Sequence, residues 1–273
     1  HLINFAGSDT LIASTFAKRY YKAPTAPGLS IPATEHSIMT LLGEPGEKEI
    51  FKHVLDAFPT GTIACVSDSY NIIRACEEYW GTELKEQILQ REGTLVIRPD
   101  SGDAVQTLLK VFEVLTEKFG YTVNEKGYKV LPPQVRVIQG DGISYSSIPA
   151  IYEALKNAGI SAENLVLGMG GALLQRVNRD TQEYALKCAH AVVNGKDINV
   201  QKNPLELDAN GNTRVSFKKS KCGKQVLVKK DGGFVTIPES EAAGLKDELV
   251  TVFENGEIKT SYTFNDIKTR AQI

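Results

Sequence analysis

Apolar positions along this chain gather into short runs, each closed by a polar cluster and followed by a helical pattern. The runs lie at 62–67, 94–97, 135–139 and 164–167. Asp68 follows the first run, and Arg98-Pro99-Asp100-Ser101-Gly102 closes the second. Gly140-Asp141-Gly142 follows the third, and Gly168-Met169-Gly170-Gly171 the fourth. The runs are continuous rather than alternating, as in strands buried on both faces. Helices are predicted over 69–79, 103–119, 146–158 and 171–178. The clearest is 103–119, where Leu108, Val111, Phe112 and Leu115 share one face and Gly120 marks the exit. Strands that alternate with helices point one way in a parallel sheet. Their carboxyl ends then open on one rim, where such folds bind ligands. Upstream, Asp9 reads as a cap for a helix over 10–21, 23–28 as a loop, and 37–42 and 47–58 as helices.

Beyond about residue 183 the pattern changes. Strands are predicted at 184–193, 197–200, 213–217, 225–229, 234–237, 249–253 and 258–264, with a short helix over 265–272. Asn194-Gly195, Asn210-Gly211, Asp231-Gly232-Gly233 and Asn255-Gly256 supply hairpin turns. The expected organisation is an α/β domain over 1–182 and a β-rich domain over 183–273.

Composition narrows the partners. The 273 residues are 42% hydrophobic and 23% charged, with a net charge of −2. That balance gives no general attraction to nucleic acid or an anionic membrane. No apolar run approaches the ~20 residues of a membrane span. Cys65, Cys76, Cys188 and Cys222 lack metal-ligand spacing and read as reduced thiols, which suits the cytoplasm. The chain opens at His1 rather than Met, and further residues are expected upstream.

The strand-end clusters suggest chemistry. Arg98 and Asp100 flank a rigid proline. They suit either a structural ion pair or a ligand site in which Arg offers planar donors and Asp accepts from sugar hydroxyls. Gly140-Asp141-Gly142 is an ordinary turn or a sugar-diol seat. The glycines of 168–171 open a helix whose backbone amides face an anion. The run lacks the lysine-serine ending of a P-loop and the GxGxxG spacing. His36 precedes a helix, and Asp68 is placed to hold one ring nitrogen, leaving the other as nucleophile or base. His53 and His190 read as structural. The basic stretch 218–224 is a solvated loop or a phosphate contact.

Six ordered segments carry a family resemblance. They are Ser30-Ile31-Pro32-Ala33-Thr34-Glu35-His36-Ser37, Val66-Ser67-Asp68-Ser69-Tyr70, Ile97-Arg98-Pro99-Asp100-Ser101-Gly102, Gly127-Tyr128-Lys129-Val130-Leu131-Pro132-Pro133, Val137-Ile138-Gln139-Gly140-Asp141-Gly142, and Gly168-Met169-Gly170-Gly171-Ala172-Leu173-Leu174-Gln175. Together they resemble the nicotinamide phosphoribosyltransferases. The resemblance implies an irregular (β/α) barrel of the type II phosphoribosyltransferase kind with a β-rich second domain. It implies formation of nicotinamide mononucleotide and pyrophosphate from nicotinamide and phosphoribosyl pyrophosphate in NAD biosynthesis. Mg²⁺ would arrive on the substrate phosphates, with no direct protein ligand, and ATP would be the coupling substrate.

Residue roles follow from the same resemblance. Arg98 and Asp100 serve the nicotinamide pocket and its ribose side, and Val96 and Ile138 form pocket wall. Gly140 and Asp141 bind ribose, and Gly170 and Gly171 seat the 5′-phosphate. Arg179, Lys187 and Lys202 reach phosphates from the partner subunit of a homodimer. His36 takes a phosphoryl group from ATP, with Asp68 as its carboxylate partner. Met169 and Ala172 depart from the better-known relatives, which have Ser and Gly there. Groups that sandwich and read nicotinamide are expected upstream of His1. The alternatives are a nicotinate phosphoribosyltransferase, or a catalytically incomplete phosphosugar-binding fragment that needs an amino-terminal partner chain.

Overall fold

The four apolar runs form one parallel sheet in a computed structural model that describes residues 1–182, 184–216 and 219–271. The chain divides into two compact units, His1–Val177 and Asn178–Ala271. The first begins with α1 (Leu11–Tyr21), α2 (His36–Met39) and α3 (Glu47–Ala57). Then come β1 (Thr60–Val66), α4 (Ile72–Arg74), a π-helical segment Ala75–Glu83, α5 (Lys85–Leu89), β2 (Glu92–Arg98) and α6 (Ala104–Phe119). A small hairpin, β3 (Thr122–Val123) with β4 (Lys129–Val130), precedes β5 (Val135–Gln139), α7 (Ile148–Asn157), β6 (Leu165–Leu167) and α8 (Gly171–Leu174). The sheet order is β1-β2-β5-β6, parallel throughout.

Two further parallel bridges, Ala33 to Ala64 and Gly7 to Leu29, extend the sheet beyond β1. The order therefore runs from segment 6–8 through 29–34 to β1. Among the described residues no ladder joins β6 to segment 6–8.

Strand alternation divides the sheet's faces. Ile63, Cys65, Leu95, Ile97, Val135 and Val137 pack into the helix-covered core with Phe112, Leu115 and Leu155. Register neighbours Ala64, Val96 and Arg136 occupy the opposite face. Trp80 anchors the core. It is fully buried and stacks on Phe51 with ring centroids 4.2 Å apart. Its indole N–H donates to Ser67 Oγ at 3.0 Å, fixing the end of β1.

The helix expected at 69–79 begins later, at Ile72, because the Asn71 side chain accepts the Arg74 N–H at 3.0 Å and caps it there. It also continues beyond residue 79. Leu84 N–H reaches back five residues to the Tyr79 carbonyl at 2.8 Å, which widens the turn. Asp9 does not cap α1. The cap position is Thr10, and the Asp9 carboxylate instead accepts from the Ser30 hydroxyl.

The second unit is built of hairpins: β7 (His190–Val193) with β8 (Lys196–Asn199), β9 (Leu205–Leu207) with β10 (Thr213–Val215), β11 (Gln225–Lys230) with β12 (Gly233–Pro238), and β13 (Phe253–Glu254) with β14 (Glu257–Ile258). Asn194-Gly195, Asp231-Gly232 and Asn255-Gly256 all have positive φ at both residues, the two-residue turn that matches strand twist. Several strands are shorter than expected, and β9 was not expected. The run at 184–193 is a strand only from His190, and 249–253 only at Phe253. The run at 258–264 splits, since Phe264 opens α9 (Phe264–Ala271). Asp266 Oδ2 accepts from the Thr263 N–H and hydroxyl, and the Thr263 hydroxyl oxygen accepts the Asp266 N–H at 3.2 Å, a reciprocal cap. Phe217, Lys218 and Gln272, at the ends of the expected 213–217 strand, basic stretch and final helix, lie outside the described residues. Among those described, no helix is long and apolar enough to cross a membrane.

Candidate active site

Backbone pairing builds the site before any side chain acts. Thr34 N–H donates to the Ala64 carbonyl, Ala64 N–H donates to the Pro32 carbonyl, and the Thr34 hydroxyl accepts the Val66 N–H, each at 3.0 Å. These bonds lay segment 32–34 along β1, so His36 and Asp68 leave neighbouring strand ends. Ser67 N–H donates to the Arg98 carbonyl at 3.0 Å and ties β1 to the loop after β2.

His36 Nε2 lies 3.0 Å from Asp68 Oδ1. The Asp68 side chain is 4% exposed and the His36 side chain 44%. The other Asp68 oxygen, Oδ2, accepts the Asp100 N–H at 2.9 Å and the Ser101 hydroxyl at 2.6 Å. Burial is the largest single influence on this carboxyl and pushes its pKa up. The hydrogen bonds from Ser101, His36 and Asp100 together outweigh it and hold the group below the usual carboxylate range. Asp68 is thus an anion with both oxygens engaged. An ionised carboxylate only accepts, so a neutral His36 carries its proton on Nε2 and leaves Nδ1 bare.

Arg98 Nη2 donates to Asp100 Oδ2 at 3.1 Å, while Arg98 Nε is buried without a partner among the described residues. An unpaired buried donor costs free energy unless something else accepts from it. Arg98 and Ile138 share the face of Val96. Val96 is buried and Ile138 half-buried.

The loops after β5 and β6 meet the same region. The Asp100 carboxylate stands over Gly140, with Oδ1 3.7 Å from where a β-carbon at residue 140 would lie. Gln139 is fully buried, and its side-chain amide donates to the Asp141 carbonyl at 3.1 Å. The Gln139 main-chain carbonyl accepts the Gly168 N–H at 2.9 Å, joining the two glycine loops. Asp141 itself is exposed. Gly170 precedes α8, Gly171 begins it, and no atom lies within 4 Å of a β-carbon at Gly170, so that backbone stands open to a ligand.

The structure therefore brings His36, Asp68, Arg98 and Asp100 into one hydrogen-bonded group, with Gly140 against it and Gly168 tied to the same strand end. It does not place Arg179, Lys187 and Lys202 in that group. All three are exposed residues of the second unit. Arg179 forks onto its neighbour Asp180 at 3.0 and 3.2 Å, and the Lys202 main chain bonds with Ser220. Within the basic stretch, Lys224 lies 3.7 Å from Asp197 and 3.9 Å from Glu239. His190 is paired with Asp197 at 2.7 Å.

Two features escaped the sequence reading. Asp9 follows segment 6–8 and so stands at the same end of the sheet, which the single bridge at Gly7 reveals. Glu47 is a fully buried carboxyl on α3. Among the described residues, the cation beside it is Arg74, at 3.7 Å, and burial pushes its pKa up. No motif marks Glu47; its place in a helical apolar stripe is the one available signal.

The comparisons with known proteins point one way. A nicotinamide phosphoribosyltransferase of Xanthomonas campestris pv. campestris is 43% identical over 279 residues, covering 99% of this chain and 58% of that protein. One of Acinetobacter baylyi is 33% identical over 291 residues, covering 99% and 56% respectively. One of Mycoplasma pneumoniae is 36% identical over 219 residues, covering 75% and 46%. The chain spans about half the length of the curated relatives it matches. The family model for nicotinate phosphoribosyltransferase (NAPRTase) matches residues 1–235, and with the rim of strand ends beneath that match, the chain belongs to the nicotinate phosphoribosyltransferase (NAPRTase) family.

Proposed function

We propose that this chain carries the phosphoribosyl-handling part of a nicotinamide phosphoribosyltransferase. The enzyme makes nicotinamide mononucleotide and pyrophosphate from nicotinamide and phosphoribosyl pyrophosphate in cytoplasmic NAD biosynthesis. The observation that supports this most is the cluster in which Asp100 pairs with Arg98, covers Gly140 and donates its N–H to the partner carboxylate of His36. In this reading the sheet is part of an irregular barrel, and Arg179, Lys187 and Lys202 serve the neighbouring subunit of a homodimer.

The chemistry is displacement at C1 of the ribose. Positive charge develops on the sugar and negative charge on the departing pyrophosphate, so the protein's work is positioning and charge neutralisation. Arg98 offers its unpaired Nε–H to the ring-side ligand, flanked by the apolar Val96 and Ile138. Asp100 and Asp141 accept from ribose hydroxyls. The open backbone at Gly170 and Gly171 takes the 5′-phosphate. Among the described residues no group of three or more His, Cys, Asp or Glu side chains is placed to hold a metal. Mg²⁺ would arrive on the substrate phosphates and would supply neutralisation of the charge on the leaving group. His36, with Nε2 engaged by Asp68, presents Nδ1 to the γ-phosphate of ATP.

The family match favours one second reading, with nicotinate in place of nicotinamide. The test uses the full-length protein with phosphoribosyl pyrophosphate and Mg²⁺, each base in turn, with and without ATP. Nicotinamide mononucleotide and pyrophosphate should form in equal amounts, faster with ATP. His36→Ala should lose the stimulation by ATP and retain measurable ATP-independent transfer. Turnover of nicotinate alone selects the second reading. Phosphosugar binding without turnover of either base, unless a separate amino-terminal chain is added, supports the fragment reading.

A further inference from the structure

We infer that Ser101 is a positioning residue that holds the Asp68 carboxylate in the one rotation that serves His36. It thereby couples the Arg98–Asp100 loop to the histidine. The inference rests on the reading of His36 as a phosphoryl acceptor.

The terminal torsion of an aspartate is broad and roughly two-fold, so position alone does not fix where its oxygens point. At Asp68 the direction is fixed by donors. Oδ2 takes the Asp100 N–H at 2.9 Å and the Ser101 hydroxyl at 2.6 Å, both from the loop after β2. Two donors converging on one oxygen resist rotation of the carboxylate plane where a single donor allows it. Oδ1 is then turned to His36 Nε2 at 3.0 Å. The histidine side chain is 44% exposed, and Asp68 is its side-chain hydrogen-bond partner. The ring's aim therefore depends on a hydroxyl that does not touch it.

The same loop carries Arg98 and Asp100, whose side chains pair at 3.1 Å. A ligand that engages Arg98 or Asp100 pulls on the segment that supplies both donors to Asp68. Occupation of the ring pocket is in this way transmitted to the histidine through one carboxylate.

The test compares Ser101→Ala and Ser101→Thr with wild type in the full-length protein. Phosphohistidine formation from γ-labelled ATP and ATP-independent transfer are measured separately, and the His36 ring is titrated by ¹⁵N NMR. Misorientation of a reacting group by a fraction of an ångström lowers rate steeply, so phosphohistidine formation in Ser101→Ala should fall by about tenfold or more. ATP-independent transfer should fall far less, the His36 titration curve should move away from that of wild type, and Ser101→Thr, which keeps the hydroxyl, should restore both. Equal loss in both reactions would mean that Ser101 supports only the loop, and the inference would be overturned. Wild-type rates of phosphorylation in Ser101→Ala would overturn it too. If wild type forms no phosphohistidine, the phosphoryl-acceptor reading fails by itself. The NMR titration then decides the positioning role: superimposable His36 curves for wild type and Ser101→Ala refute it.

Discussion

The two compact units spend their apolar residues differently. Of the buried apolar side chains among the described residues, all but Val228 and Phe264 belong to the first unit. The second unit shows its apolar residues to the outside: Leu205, Leu207, Val215, Phe253 and Ile258 are each more than half exposed. A parallel sheet needs helices on its faces, and covering them creates a core. A two-stranded hairpin has no second layer of its own and is marginal in isolation. The first unit can therefore hold side chains to fixed geometry from within, as Trp80 and Ser67 do for the strand end before Asp68. The second unit leaves Arg179, Lys187 and Lys202 exposed.

The sharpest way to break this contrast is to delete a large side chain from each unit. Trp80→Ala removes a fully buried ring and its hydrogen bond to Ser67, and should cost about 3–5 kcal/mol in chemical denaturation. Phe253→Ala, at a ring 63% exposed, should change stability by no more than about 0.5 kcal/mol. Comparable losses would mean that the hairpins carry as much of the fold as the core does.

A second experiment asks whether the fixed geometry of the first unit is electrostatic. The pKa of Asp68 is lowered in the folded protein. Its stabilising contribution is therefore present above the unfolded value of about 3.9 and disappears as pH falls through the folded value. Asp68→Asn should cost about 1–3 kcal/mol at pH 7. The difference from wild type should shrink as the solution is acidified below the ordinary aspartate range, read from urea titrations at several pH values. A gap that stays constant down to the lowest pH would show that shape, not charge, holds the site.

The smallest effect tests locality. Gly232 has φ of +78° in the turn between β11 and β12. A β-carbon is disfavoured there by about 1–2 kcal/mol. Gly232→Ala should speed amide hydrogen exchange in β11 and β12 and leave α6 and β5 as protected as before. Faster exchange in both would show that the units unfold together.

Much of the first unit was legible in the sequence. Continuous apolar runs this short, closed by Gly- or Pro-bearing polar clusters, mark strands buried on two faces. The 103–119 pattern gives α6 for the same reason. The hydrogen bond between His36 and Asp68 was also expected, from the place of Asp68 at a strand end together with the family resemblance. Segments 6–8 and 29–34 were not legible. Each pairs through a single bridge, too short to impose a period. The continuation of the Ile72–Arg74 helix into the π-helical Ala75–Glu83 was not legible either, because five-residue bonding leaves the apolar residues in a helical stripe. In the second unit the turns were clearer than the strands, since an Asn-Gly or Asp-Gly turn is specified by two residues alone. Strand length depends on what each strand meets.

By itself, then, the sequence determined which residues stand at the ends of strands, because burial periodicity and turn chemistry are local properties. It also placed the chemistry-bearing types Asp68, Arg98, Asp100 and Asp141 at those ends. Only the tertiary structure decided which atoms meet. Ser101 finds Asp68 across 33 positions of chain, Gln139 ties one glycine loop to another, and Glu47 is left buried with both oxygens lacking hydrogen bonds. Such contacts depend on strand register and side-chain rotation, and both are set when the sheet and its helices pack.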